Sequence, residues 1–163
     1  MKAVLISIRP KWCEKIISGE KTIEVRKTRP RLNPPFKCYI YQTGQGGVIG
    51  EFVCDDIFER IVRVGAICET PKYCICDWNM DCKPLDTLLA DACLTKDELG
   101  KYLDGGVGYG WHISNLRIYD HPRELREFYA VPNEVEVALK AKPKPVTRPP
   151  QSWRYVEEEL WND

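Results

Sequence analysis

No stretch of this 163-residue sequence approaches the roughly 18 consecutive apolar residues that a membrane-spanning helix needs. Its first apolar run, Ala3 to Ile8, is too short for a secretory signal core, and Arg9, Lys11 and Lys15 follow where small cleavage-site residues would stand. No membrane partner is expected, and the expected location is the cytoplasm. Paired C-x2-C knuckles are also missing. Four of the eight cysteines, Cys68, Cys74, Cys76 and Cys82, fall close together and could ligate zinc, but their C-x5-C-x-C-x5-C spacing lacks the paired knuckles that mark a strong zinc site. Without a secretory signal the thiols read as reduced, with Cys13, Cys38 and Cys54 inside apolar helix or strand patterns. No metal and no cofactor is expected. The run Gly105 to Gly110 lacks the Lys-Ser/Thr of a phosphate loop and precedes a strand, so it reads as a hinge or close-approach turn in which Tyr109 could gate a cleft. No nucleophile elbow surrounds Ser114, and no acid at a telling spacing orients His112, which argues against Ser–His catalysis.

Net charge is absent as well, since 24 Lys and Arg balance 24 Asp and Glu, and this alone argues against a nucleic-acid partner. The distribution argues otherwise. Residues 1–50 carry ten basic side chains against three acids, and residues 51–139 carry nine against seventeen. Such polarity suits a basic face aimed at phosphates, with a solvated surface as the plainer alternative.

The length and a hydrophobic content of 44% suit one domain with its own core. Ala3 to Ile8 reads as a buried strand. Pro10 suits the first turn of a helix whose apolar face is Trp12, Cys13, Ile16 and Ile17, and Gly19 is placed to end it in a left-handed cap. Thr22 to Lys27 alternates as a half-buried strand, and Lys21 reaches solvent only if it lies in the preceding turn. Cys38 to Gln42 and Val48 to Cys54 read as further strands, the second continuing toward Val64, while residues 65–84 show no clear period. Thr95 and Glu98 form a capping-box pattern for a helix from Lys96 to Leu103. Trp111 to Tyr119 is a strand whose apolar parity switches, which predicts a bulge near Ser114 or Asn115. Residues 1–139 are expected to form the domain. Residues 140–163, a Pro/Lys linker and an aromatic tail with Trp153, Tyr155 and Trp161, are expected to dock on it.

The most specific feature is Gly19-x-Lys21-x-x-Glu24-x-Arg26 on a helix–turn–strand unit. It resembles the G-x-K-x-x-E-x-R signature of the ASCH domain family. The resemblance extends to about Cys54 and reappears from Gly108 to Ser114, and the whole chain, with Arg148-Pro-Pro-Gln-Ser-Trp153, is similar to phage-type and bacterial ASCH proteins. It implies an α+β, PUA-like small antiparallel or mixed β-barrel with a few short helices around it. It also implies RNA or a nucleotide-like molecule as partner, at a cleft beside the first helix.

Read physically, Glu24 and Arg26 share a strand face, so the carboxylate can orient the guanidinium, and Lys21 adds a point charge. Lys27, Arg29 and Arg31 extend the positive strip into a Pro-rich loop. Tyr39 and Tyr41 could stack on bases but suit the core better. His112 and Ser114 form the polar face of the strand that contains them. The expected ligand-binding set is therefore Lys21, Glu24, Arg26, Lys27, Arg29, Tyr109, His112 and Ser114, converging on one cleft.

Binding without turnover is the first functional reading. The alternative is hydrolysis of a modified nucleoside or of RNA, because small ASCH relatives deacetylate N4-acetylcytidine and others are ribonucleases. In that case Lys21 would be catalytic. The deacetylase set also needs a threonine where this chain has Glu24, and a later glutamate where the nearest acid is Asp91. A third reading, a protein-interaction module, would use the tail aromatics.

Overall fold

The computed structural model describes residues 1–44, 46–64, 72–76, 82–83 and 85–158. Its elements are β1 (Lys2–Ile8), α1 (Pro10–Ile17), β2 (Ile23–Arg26), β3 (Phe36–Gln42), β4 (Gly47–Val64), β5 (Lys72–Cys76), β6 (Cys82–Lys83), α2 (Asp86–Ala92), α3 (Lys96–Leu103), β7 (Gly108–Arg123), β8 (Phe128–Ala130), α4 (Glu134–Ala138), β9 (Lys144–Pro145) and β10 (Trp153–Glu158). The chain divides into two compact units. One comprises Met1–Cys13, Phe36–Val53 and Asn115–Asp163, the other Glu14–Pro35 and Cys54–Ser114.

In the first unit the strand order is β7-β4-β3-β1-β10-β8-β9. β1 is central: it runs parallel to β3, with Val4 opposite Cys38, and antiparallel to β10, with Val4 opposite Tyr155. Ala3 to Ile8 are accordingly all buried, as an unbroken apolar run in an inner strand should be. The core beneath gathers Leu5, Tyr39, Tyr41, Val48, Phe128, Val146 and Val156, so the two tyrosines are packed rather than offered to bases. Ser7, the buried polar side chain of this unit, donates to the Pro150 carbonyl at 2.6 Å, and its backbone N–H donates to Ser152. Gly50 is required where β4 meets β7, because a Cβ there would stand 2.5 Å from the Arg117 carbonyl oxygen.

The second unit joins β2-β7-β4-β5-β6 and carries α2 and α3. Thr95 caps α3 reciprocally with Glu98, giving the helix the bounds its sequence predicts. Ile23, Val25, Ile61, Leu85, Leu88, Leu89, Ala92, Leu99 and Leu103 form its core. Gly110 lets this packing close, since a Cβ would lie 3.1 Å from Ile23 and 3.2 Å from Leu88. Gly19 is left-handed, with φ +79, where the sequence places a helix stop. Ile17, expected on the apolar face of α1, is half exposed instead.

Asn115 has φ +47, and Trp111 and Ile113 are buried before it while Ile118 is exposed after it. The expected break in parity is therefore a single left-handed residue within a continuous strand. The α+β class holds, with a mixed sheet and short helices. Both strand orders have open ends, so the expected barrel is approximate. Among the described residues no helix is long and apolar enough to cross a membrane.

Candidate ligand site

The G-x-K-x-x-E-x-R segment begins where α1 stops. Lys21 lies in the turn before β2, as the motif requires, but it does not reach solvent. The side chains of Lys21, Glu24 and Arg26 are buried, with the residues only 3%, 6% and 8% exposed. The cause is α2. The last carbonyls of a helix have no partners within it, and here residues 21 and 22 supply them: the Lys21 Nζ donates to the Ala92 oxygen at 2.7 Å, and the Thr22 N–H donates to the Asp91 oxygen at 2.8 Å. A cation at a helix C-terminus is also favoured by the helix dipole. The expectation of a mobile, solvent-reaching lysine is thus corrected, because this ammonium closes a helix end.

Glu24 joins the two cations. One carboxylate oxygen is 3.2 Å from the Lys21 Nζ and the other 3.0 Å from an Arg26 terminal nitrogen. The Lys21 Nζ thus donates to a backbone carbonyl and pairs with a carboxylate, and that carboxylate also holds the guanidinium. That arrangement suits orientation better than nucleophilic or base chemistry by Lys21.

The β2–β7 register sorts the remaining candidates. Glu24 faces Trp111 and Arg26 faces Tyr109, while Ile23 faces His112 and Val25 faces Gly110. Directly opposed residues of an antiparallel pair share a face. Tyr109 therefore stands with Glu24 and Arg26, and His112 stands with the aliphatic residues on the other side. The expected convergence of the Lys21, Glu24 and Arg26 group with the polar face of His112 and Ser114 is not what the register produces, since one strand cannot turn adjacent residues to the same side.

His112 and Ser114 belong to a second group. The His112 Nδ1 is 2.6 Å from an Asp55 oxygen, both side chains being part exposed. The hydrogen bond to His112 holds the Asp55 carboxyl below its usual range, and a further one to Ser114 adds to this. The serine is thus bonded to the acid and is not placed as a nucleophile activated by the imidazole. Asp55 adjoins the buried Cys54, whose thiol is pushed up to about 12, first by burial and then by the Asp55 charge, with the Arg29 charge acting in the opposite sense. Lys27 is exposed, just past β2.

Two residues at the site carry no signal in the sequence. Asp55 lies 57 positions from His112 and follows an apolar strand like any edge acid. Tyr102 looks like an ordinary helix-surface residue, yet Lys27 lies over its ring, and Arg26 and Glu24 both act on its hydroxyl. Neither local pattern could reveal these meetings. Cys68 falls outside the described residues, as do the side chains of Cys74, Cys76 and Cys82. Among the described residues no group of His, Cys, Asp or Glu is placed to hold a metal ion.

A mixed sheet with short helices, carrying a helix–turn–strand unit with buried Lys, Glu and Arg, defines the PUA-like class. The ASCH domain profile matches residues 6–98, more than half of the sequence, and the chain belongs to the ASCH domain family. The crystal structure of ASCH from Zymomonas mobilis is similar, with a TM-score of 0.60, 19% identity, and coverage of 95% of this chain and 87% of that one. A variant of the same protein gives a TM-score of 0.60 at 18% identity, covering 96% of this chain and 91% of its own. Identity this low speaks for the fold alone. Among curated proteins none matches the sequence.

Proposed function

We propose that this chain binds single-stranded RNA, or a nucleotide-like ligand, at the end of β2, with Arg26 and Tyr109 on the contacting face and Lys27 beside them. The observation that carries this reading is the buried Lys21–Glu24–Arg26 group. Desolvating three charges costs several kcal/mol per ion, and a well-packed apolar set would hold the fold about as well. Such a group is useful where a guanidinium must be held in one orientation toward an anion or a base edge. The guanidinium, and the exposed Lys27 and Arg31 nearby in sequence, suit phosphate. Glu24 and Lys21 act in this reading by fixing Arg26.

The test is a titration of labelled single-stranded RNA at several salt concentrations. Log K should fall with log salt by roughly 0.7 per phosphate contact, and Lys27→Ala should lower that slope by about one contact. Arg26→Lys keeps the charge and loses the planar fork, so affinity should drop while the fold survives. Absence of RNA binding at low salt would end this reading.

One observation favours hydrolysis as a second reading. Asp55 holds the Nδ1 of His112, leaving Nε2 as the nitrogen to exchange a proton with a 2′-hydroxyl. Release of cleaved RNA by the wild type, abolished in His112→Ala and weakened in Asp55→Asn, would support it. Deacetylation of N4-acetylcytidine has less support, because Lys21 closes α2 and Glu24 is its ion-pair partner. An assay with that nucleoside decides it.

A further inference from the structure

Cations and a fixed guanidinium account for the phosphates of a bound strand and leave its bases without a partner. Tyr102, in the last turn of α3, is 38% exposed although it sits beside the buried ion group. Leu99 and Leu103 of the same helix are fully packed in the unit's core, so α3 is anchored and Tyr102 is held on its flank. The Lys27 Nζ lies 5.4 Å from the centre of the Tyr102 ring, and the Lys27 backbone hydrogen-bonds the hydroxyl. Burial raises the hydroxyl's pKa, Arg26 opposes the rise, Glu24 adds to it and the Lys27 bond opposes it, so the hydroxyl lies within electrostatic reach of the Glu24–Arg26 pair.

A tyrosine needed only to cover the core would bury its ring as Leu99 does. This ring is tethered at its hydroxyl, which lowers the entropy lost when something rests on it. An aromatic face beside cations is what sequence-tolerant binding of single strands uses, because every base has a π face.

We infer that Tyr102 is a ligand-contacting residue, the platform on which an unpaired base of single-stranded RNA stacks beside Lys27. This rests on the RNA reading above and adds to it the way a base is held.

The experiment compares fluorescein-labelled oligoadenylate with an abasic strand of the same length, on wild type, Tyr102→Phe and Tyr102→Leu. Wild type should bind oligoadenylate more tightly than the abasic strand, and Tyr102→Phe, which keeps the ring and loses the hydroxyl tether, should fall between wild type and Tyr102→Leu. Tyr102→Leu should lose roughly 5- to 100-fold on oligoadenylate, little on the abasic strand, and keep the salt slope, because the phosphate contacts remain. Equal affinity of Tyr102→Leu and wild type for oligoadenylate, or an equal loss on both strands, overturns the inference and leaves the RNA reading standing. A wild type that binds neither strand removes both. If Tyr102→Leu does not fold, 19F spectra of the fluorotyrosine-labelled wild type replace it. The Tyr102 signal, assigned with Tyr102→Phe, should shift on adding oligoadenylate and not on adding the abasic strand, and no difference between the two overturns the inference.

Discussion

In the first unit the described buried side chains are apolar, aromatic or the thiols of Cys13 and Cys38, with Ser7 the polar exception, and its hydroxyl is satisfied by the Pro150 carbonyl before β10. In the second unit Lys21, Glu24 and Arg26 are as deeply buried as the aliphatic residues on the other face of β2. The first arrangement gains stability from each group it hides. The second hides ions whose attraction does little more than offset their desolvation. The contrast separates a unit built to hold a sheet together from one that carries an oriented charge, and four changes can break or sharpen it.

The largest effect is expected in the first unit. Ending the chain after Leu139 removes β9 and β10, the partner of β1, and the buried Val146 and Val156. Each valine is worth about 1.5–3 kcal/mol. Circular dichroism melts of the shortened chain should show no cooperative transition from this unit; a native-like melt would show that β10 is dispensable.

Next comes Glu24→Gln, which leaves Lys21 and Arg26 buried without their shared counter-charge. Urea denaturation should show a loss of roughly 3–5 kcal/mol. A loss below about 1 kcal/mol would mean that the group behaves as a surface ion pair and that the contrast between the units is false.

Ser7→Ala removes one neutral hydrogen bond in the first unit and should cost about 1 kcal/mol. Set beside Glu24→Gln, it measures how differently the two units respond to losing one polar partner.

The smallest effect concerns Asp55. Its folded pKa is depressed by the bond to His112, so the stability it contributes is present above the unfolded value near 3.8 and is lost as pH falls below it. Both groups are part exposed, which keeps the contribution to a fraction of a kcal/mol. The stability difference between wild type and Asp55→Asn should shrink as pH falls from about 5 toward 3. A difference independent of pH would remove the pairing with His112.

Where an element depends on neighbours a few positions away, the sequence is readable. The capping box of α3, the glycine stop of α1 and the strand extending to Val64 are all found where the pattern puts them, whereas β2, expected to be half-buried, is buried on both faces. The parity break at Asn115 is found as well, though as a left-handed residue inside one strand. Ile17 is a further exception, since helical spacing sorts residues into faces without saying how wide the covered face is.

The composition of the site is partly readable for the same reason. Lys21, Glu24 and Arg26 form a local motif, and their parity brings Glu24 and Arg26 together. The fate of Lys21 is not local. Its main acceptor is Ala92, 71 positions away, and nothing around Lys21 indicates that α2 will end there.

The sequence alone determined the family, the α+β class, the turn that holds Lys21 and the bounds of α1 and α3, because caps, turns and hydrophobic period act within one or two turns of chain. Only the tertiary structure decided that Lys21 is buried, that His112 turns away from Arg26, that Asp55 is the partner of His112, and that Lys27 lies over the Tyr102 ring. Each of these follows from strand register and helix docking, which are set by how distant apolar faces pack together.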